Sequence, residues 1–163
     1  MTAPTTTTAA PTRGFTASTR LSADLQRVLI DLIALSLQGK QAHWNVVGHN
    51  FRDLHLQLDE IVDYAREASD TIAERMRALN AVPDGRPETV ATTTTLPSLP
   101  GGEQDTGRIV DLVTGLLHTT AGTVRAVHDE VDAEDPSTAD LLHAIIDSLE
   151  KFAWLLSSEN RGR

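Results

Sequence analysis

Apolar residues recur at helical spacing in four stretches of the chain, separated by a short gap, a long gap and another short one. The first stretch, Leu21, Leu25, Val28, Leu29, Leu32 and Leu35, predicts a helix from about Leu21 to Val46 that Gly48 closes. The second predicts a helix from about Asn50 to Asn80, with Leu54, Leu58, Ile61, Val62, Ala65, Ile72, Met76 and Leu79 on its core face. A third runs from about Gly107 to Val131 on Ile109, Val110, Leu112, Val113, Leu116, Leu117, Val124 and Val127. The fourth starts at Asp135 followed by Pro136, a capping residue with proline at the first helical position, where its missing N–H is not needed. Leu141, Leu142, Ile145, Leu149, Phe152, Leu155 and Leu156 carry it to about Asn160. Residues 1–18 are Thr, Ala and Pro without an apolar period and are expected to form a flexible tail, leaving 19–163 as one domain.

Gap lengths suggest how the helices connect. A tight turn near Gly48 makes the first two an antiparallel pair. The segment 81–106 holds Pro83, Pro87, Pro97, Pro100, Gly101 and Gly102 and is too long for a hairpin. A connection of that length in a helical domain runs the length of the bundle and sets the third helix parallel to the second. The expected fold is therefore all-α, a four-helix bundle with the long crossover of the ferritin-like topology.

Composition narrows the chemistry. Hydrophobic residues make up 40% of the 163 positions but aromatic ones only 4%, so a single core of Leu, Ile, Val and Ala is expected. The absence of cysteine excludes disulfides, zinc–thiolate sites and cysteine nucleophiles. A formal charge of -9 opposes general affinity for nucleic acid and suits a protein that attracts cations. No basic segment followed by an apolar run opens the chain and no stretch is long enough to span a bilayer, so no membrane partner and a cytoplasmic location are expected.

On the second predicted helix, the face opposite the core carries His55, Asp59, Asp70 and Glu74 within about 100° of arc. Asp59 and Asp70 stand roughly 16 Å apart along the axis, so one copy cannot close all four groups around an ion. They are, however, symmetric about the point between Tyr64 and Ala65. An antiparallel second copy crossing there would set His55 and Asp59 of one chain beside Glu74 and Asp70 of the other, twice, by twofold symmetry. The plain alternative is a solvated face, since Arg52, Arg66 and Arg77 share the stripe and suit surface ion pairs.

The stretch AHWNVVGHNFRDLHLQLDE at 42–60, DTIAERM at 70–76 and EKFAW at 150–154 closely resembles the Dps family of mini-ferritins, DNA-binding proteins from starved bacteria. The resemblance spans about Leu21 to Asn160. It implies a short extra helix in the crossover, a hollow dodecamer, and a two-ion iron centre shared across the twofold subunit interface. It assigns His43, Asp70 and Glu74 of one subunit, and His55 and Asp59 of its neighbour, as metal ligands. It also implies ferroxidase activity: Fe(II) oxidised by hydrogen peroxide, or more slowly by oxygen, with Fe(III) mineralised in the cavity, protecting the cell and its DNA. Imidazole and carboxylate suit that ion, while zinc or manganese could use the same donors. No Glu here has His three positions on, so the ferritin centre inside one bundle is not expected.

Trp44, beside His43, is a candidate for a catalytic role near the centre, as is Trp154; simple apolar packing is the alternative for both. Glu134, Asp135 and Asp140 lie in an acidic run that the resemblance brings near threefold pores, where they would guide cations inward; a solvated helix start is the other reading. His49, His118, His128 and His143 lack partners in a metal-ligand pattern and are expected to be ordinary groups. The family's DNA binding often uses a tail rich in Lys and Arg, whereas Arg13, Arg161 and Arg163 are the terminal cations here, so weak or absent DNA binding is expected, with nucleoid association left as an option. A metal-dependent hydrolase and a non-catalytic DNA-compacting protein are the alternative functions.

Overall fold

The computed structural model describes residues 14–161. Residues 1–13 of the expected tail, with Arg13, lie outside it, as does Arg163. The first helix, α1 (Thr19–Asn45), starts where the Ser18 hydroxyl accepts the Leu21 N–H at 3.0 Å, so a serine cap replaces the later start that the apolar period suggested. Ahead of it, the Ala17 N–H donates to the Leu79 carbonyl at 2.9 Å and Asn80 donates to the Phe15 carbonyl at 3.1 Å. These bonds tie the segment to the end of α2 (Phe51–Ala78).

α1 and α2 form an antiparallel pair across a turn in which Gly48 takes φ 120°, a conformation open to glycine and strained for other residues. The two helices cross closely at Gly39, where an added Cβ would stand 2.9 Å from Val62 Cγ2. The crossover that follows contains α3 (Pro87–Thr93), with Val90 and Leu96 turned into the core. It ends in a two-residue parallel strand pair, β1 (Val46–Val47) with β2 (Gln104–Asp105). That pairing brings the start of α4 (Thr106–Glu134) to the end of the bundle where α2 starts, so α2 and α4 run parallel. α5 (Pro136–Ser157) returns antiparallel, from Pro136 at its first position as expected, and a 3-10 turn continues to Asn160.

The core is aliphatic: Leu25, Leu32, Leu35, Leu58, Ile61, Leu116, Leu117 and Leu142 are fully buried between the four long helices. Its most deeply buried carboxylate among the described residues comes from α1. Asp31 on α1, 1% exposed, accepts hydrogen bonds from the Thr94 hydroxyl (2.8 Å), the Thr95 amide (2.8 Å), the Thr95 hydroxyl (2.6 Å) and the Thr123 hydroxyl (2.7 Å). The carboxylate thus pins the crossover to α1 and α4. No helix among the described residues is long and apolar enough to cross a membrane.

Candidate metal centre

The short turn between α1 and α2 sets the last turns of one helix against the first turns of the other. His43 and His55 therefore meet, their rings stacked with centroids 3.6 Å apart. Each ring bonds the other's backbone: His43 Nδ1 to the His55 carbonyl and His55 Nδ1 to the His43 carbonyl, both at 3.0 Å. A carbonyl only accepts, so both Nδ1 atoms carry the proton, and in the neutral rings both Nε2 atoms keep a lone pair. The pair is held in the tautomer that binds metal.

Asp59, one turn beyond His55, completes a group. One ligand atom each from His43, His55 and Asp59 lies within 4.8 Å of the others. His43 is buried and the other two are half-buried. Lys40, one turn before His43, donates to Asp59 Oδ1, and His43 Nδ1 stands 3.3 Å from the same oxygen. The Lys40 hydrogen bond, aided by the charge of that lysine, holds the Asp59 carboxyl below its usual value despite some desolvation. Lys40 was missed in the sequence; its position on the same face as His43, one turn back, was the available signal.

The resemblance grouped His43 with Asp70 and Glu74 of one subunit. In the structure His43 instead belongs with His55 and Asp59 of the same chain, because the antiparallel turn brings the end of α1 to the start of α2. Asp70 and Glu74 lie further along α2, both exposed, and within one chain they do not join this group. Trp44 is 68% exposed beside the histidines, and Val47, Phe51 and Leu56 are exposed apolar neighbours. Trp154 on α5 is also exposed.

The acidic run is partly committed elsewhere. Glu134 accepts from the Ser18 amide at 2.7 Å and the Ser18 hydroxyl at 2.6 Å. Asp135 is buried and pairs with Arg75 at 2.6 Å, while Thr138 donates to it and Arg75 Nε donates to the Thr138 hydroxyl at 2.7 Å. Burial works against ionisation of Asp135, but the bonds from Thr138 and Arg75 outweigh it and hold the carboxyl below its usual value. Asp140 remains exposed. His128 and His143, expected to lack partners, are brought together with ring centroids 4.3 Å apart.

A family model described as a ferritin-like domain matches residues 22–160. The chain is 35% identical over 130 residues to DNA protection during starvation protein 2 of Deinococcus radiodurans, covering 80% of this chain and 54% of that one, so it spans about half of that relative's length. It is 35% identical over 138 residues to the DNA protection during starvation protein of Agrobacterium fabrum, covering 82% and 83% of the two chains. Among solved structures it is similar to Dps92 from Deinococcus radiodurans, with TM-score 0.84, 32% identity and coverage of 88% and 87%. A Dps from Microbacterium arborescens in its high iron form is similar too, with TM-score 0.82, 31% identity and coverage of 90% and 98%.

Proposed function

This chain belongs to the ferritin-like family, among the Dps proteins, and from that premise we propose that it oxidises Fe(II) and stores the Fe(III) product inside a shell of twelve copies. The observation that carries the reading is the stacked His43–His55 pair with both Nε2 atoms free and Asp59 beside it, half of a coordination sphere with its tautomers already set. Asp70 and Glu74, exposed on the same helix face, are the complementary half when a second α2 crosses antiparallel. The apolar surface around the histidines, Trp44, Val47, Phe51 and Leu56, supports a neighbouring copy there, because a monomer gains nothing by exposing it.

At this site two Fe(II) ions are substrates. Two imidazoles and three carboxylates hold them, and anionic oxygen favours the ferric product. Two Fe(II) give two electrons to one hydrogen peroxide, which takes up two protons and leaves as two waters, so no hydroxyl radical is released. Lys40 is the cation in place on Asp59 and gives way when a metal ion takes that carboxylate. Trp44 borders the centre as packing or as an electron donor. Of the acidic run, exposed Asp140 draws cations inward, whereas Glu134 is taken up by Ser18 and Asp135 is neutralised by Arg75. The same negative balance and few terminal cations make DNA affinity weak, and the setting is the cytoplasm.

Stopped-flow oxidation of Fe(II) by peroxide tests the site. His55→Ala and Asp70→Ala are each expected to slow it at least tenfold. Co-assembling the two variants is expected to restore part of the rate, since one of the two sites at each mixed twofold interface is then whole. Unchanged rates in both single variants would remove the assigned centre, and no recovery on mixing would remove its sharing between copies.

A further inference from the structure

A second histidine pair lies where α4 packs against α5, on helices that contribute nothing to the first group. His128 and His143 have ring centroids 4.3 Å apart and planes inclined by 33°. Each has a carboxylate near its Nδ1: Asp129 Oδ1 stands 3.1 Å from that of His128, and Asp140 Oδ1 3.9 Å from that of His143. At 3.1 Å the Asp129 carboxylate accepts the His128 Nδ1–H, which sets that tautomer and leaves the lone pair on the His128 Nε2. The His128 Nε2 is buried and has no hydrogen-bond partner among the described residues. A buried imidazole nitrogen without a partner is unusual, and a ligand would satisfy it. The His128 side chain is 18% exposed and that of His143 is 61% exposed, so the pair leads from solvent to a sheltered donor.

We propose that His128 and His143 form a second metal site that takes one borderline divalent transition-metal ion through their Nε2 atoms. Water fills the remaining positions. Two neutral imidazoles favour Zn(II) and Cu(II) over Fe(II), because affinity at nitrogen sites rises in that order along the first row. The site is thus expected to retain zinc in the presence of ferrous iron. The proposal is independent of the ferroxidase reading, since it uses neither the residues nor the subunit interface of that centre.

Co(II), which reports nitrogen ligation by its visible absorption, and Zn(II) as competitor test it on the full chain. A background of His55→Ala with Asp59→Asn disables the first group. In that background one Co(II) per chain is expected to bind with a nitrogen-ligand spectrum and to be displaced by one Zn(II). Adding His143→Ala, at an exposed position where folding is unaffected, is expected to weaken binding at least tenfold with an unchanged circular dichroism spectrum. Absence of saturable binding in the background, or binding unaffected by His143→Ala, would overturn the site and leave a packed aromatic pair.

Discussion

Replacing Asp31 separates the charge of the buried carboxylate from its role as an acceptor. Its two oxygens accept two hydrogen bonds each, at 2.6–2.8 Å, from Thr94, Thr95 and Thr123. In Asp31→Asn the remaining oxygen keeps the Thr94 hydroxyl and Thr95 amide. The new NH2 faces the Thr95 and Thr123 hydroxyls, which can turn to accept. Only charge assistance is lost, and part of that is offset by no longer burying an ion, so the expected destabilisation is about 1 kcal/mol. In Asp31→Ala no acceptor remains. The Thr95 amide is stranded and the buried Thr123 hydroxyl is left with only the Thr95 hydroxyl at 3.3 Å, at about 1–3 kcal/mol each, while the Thr94 hydroxyl can turn toward water. The expected total is about 3–4 kcal/mol. For a domain of this size that lowers Tm by about 10 °C, against about 3 °C for Asn. Thermal melts followed by circular dichroism, at matched protein concentration so that assembly contributes equally, give the comparison. An alanine variant as stable as the asparagine variant would refute the reasoning, because it would show that these donors find water and that the crossover is not pinned by this side chain.

At the centre, Lys40→Gln removes the cation from Asp59, and divalent-metal binding is expected to tighten several-fold in a Co(II) titration at pH 7; unchanged affinity would show that this lysine does not compete for the carboxylate. Asp135 has its native carboxyl below the unfolded value of about 3.9, so its contribution to stability is complete above that pH and is lost as pH falls through the depressed native value. Unfolding free energies of wild type and Asp135→Asn from urea titrations are therefore expected to differ by about 2 kcal/mol at pH 7 and to converge in acid; a gap independent of pH would contradict this. In a gel shift, duplex DNA is expected to remain free at moderate salt, and a tight retarded complex there would show that the few terminal arginines suffice against the charge of -9 per chain.

Much of the fold was legible because helical periodicity is a local property. The four long helices lie within a few residues of their expected bounds, and Asp135–Pro136 starts α5 as read. The polar stripe of α2 was legible for the same reason: residues three, four, eleven and fifteen apart share a face whatever the surroundings. Chain length and turn placement further implied the antiparallel first pair and the long crossover.

What periodicity cannot supply is the rotation and crossing of one helix against another. Only the packed structure decides that His43 exchanges backbone hydrogen bonds with His55, that Lys40 reaches Asp59, and that Asp135 turns from the acidic run to Arg75. The same holds for Asp31, which reads as one more helix-surface carboxylate until Thr94, Thr95 and Thr123 converge on it, and for His128 and His143, which look unrelated until α4 and α5 pack. Local spacing settles which side chains each helix offers and on which face; helix packing settles which of them meet, because contacts between distant residues are set by side-chain volumes in the shared core and not by separation along the chain.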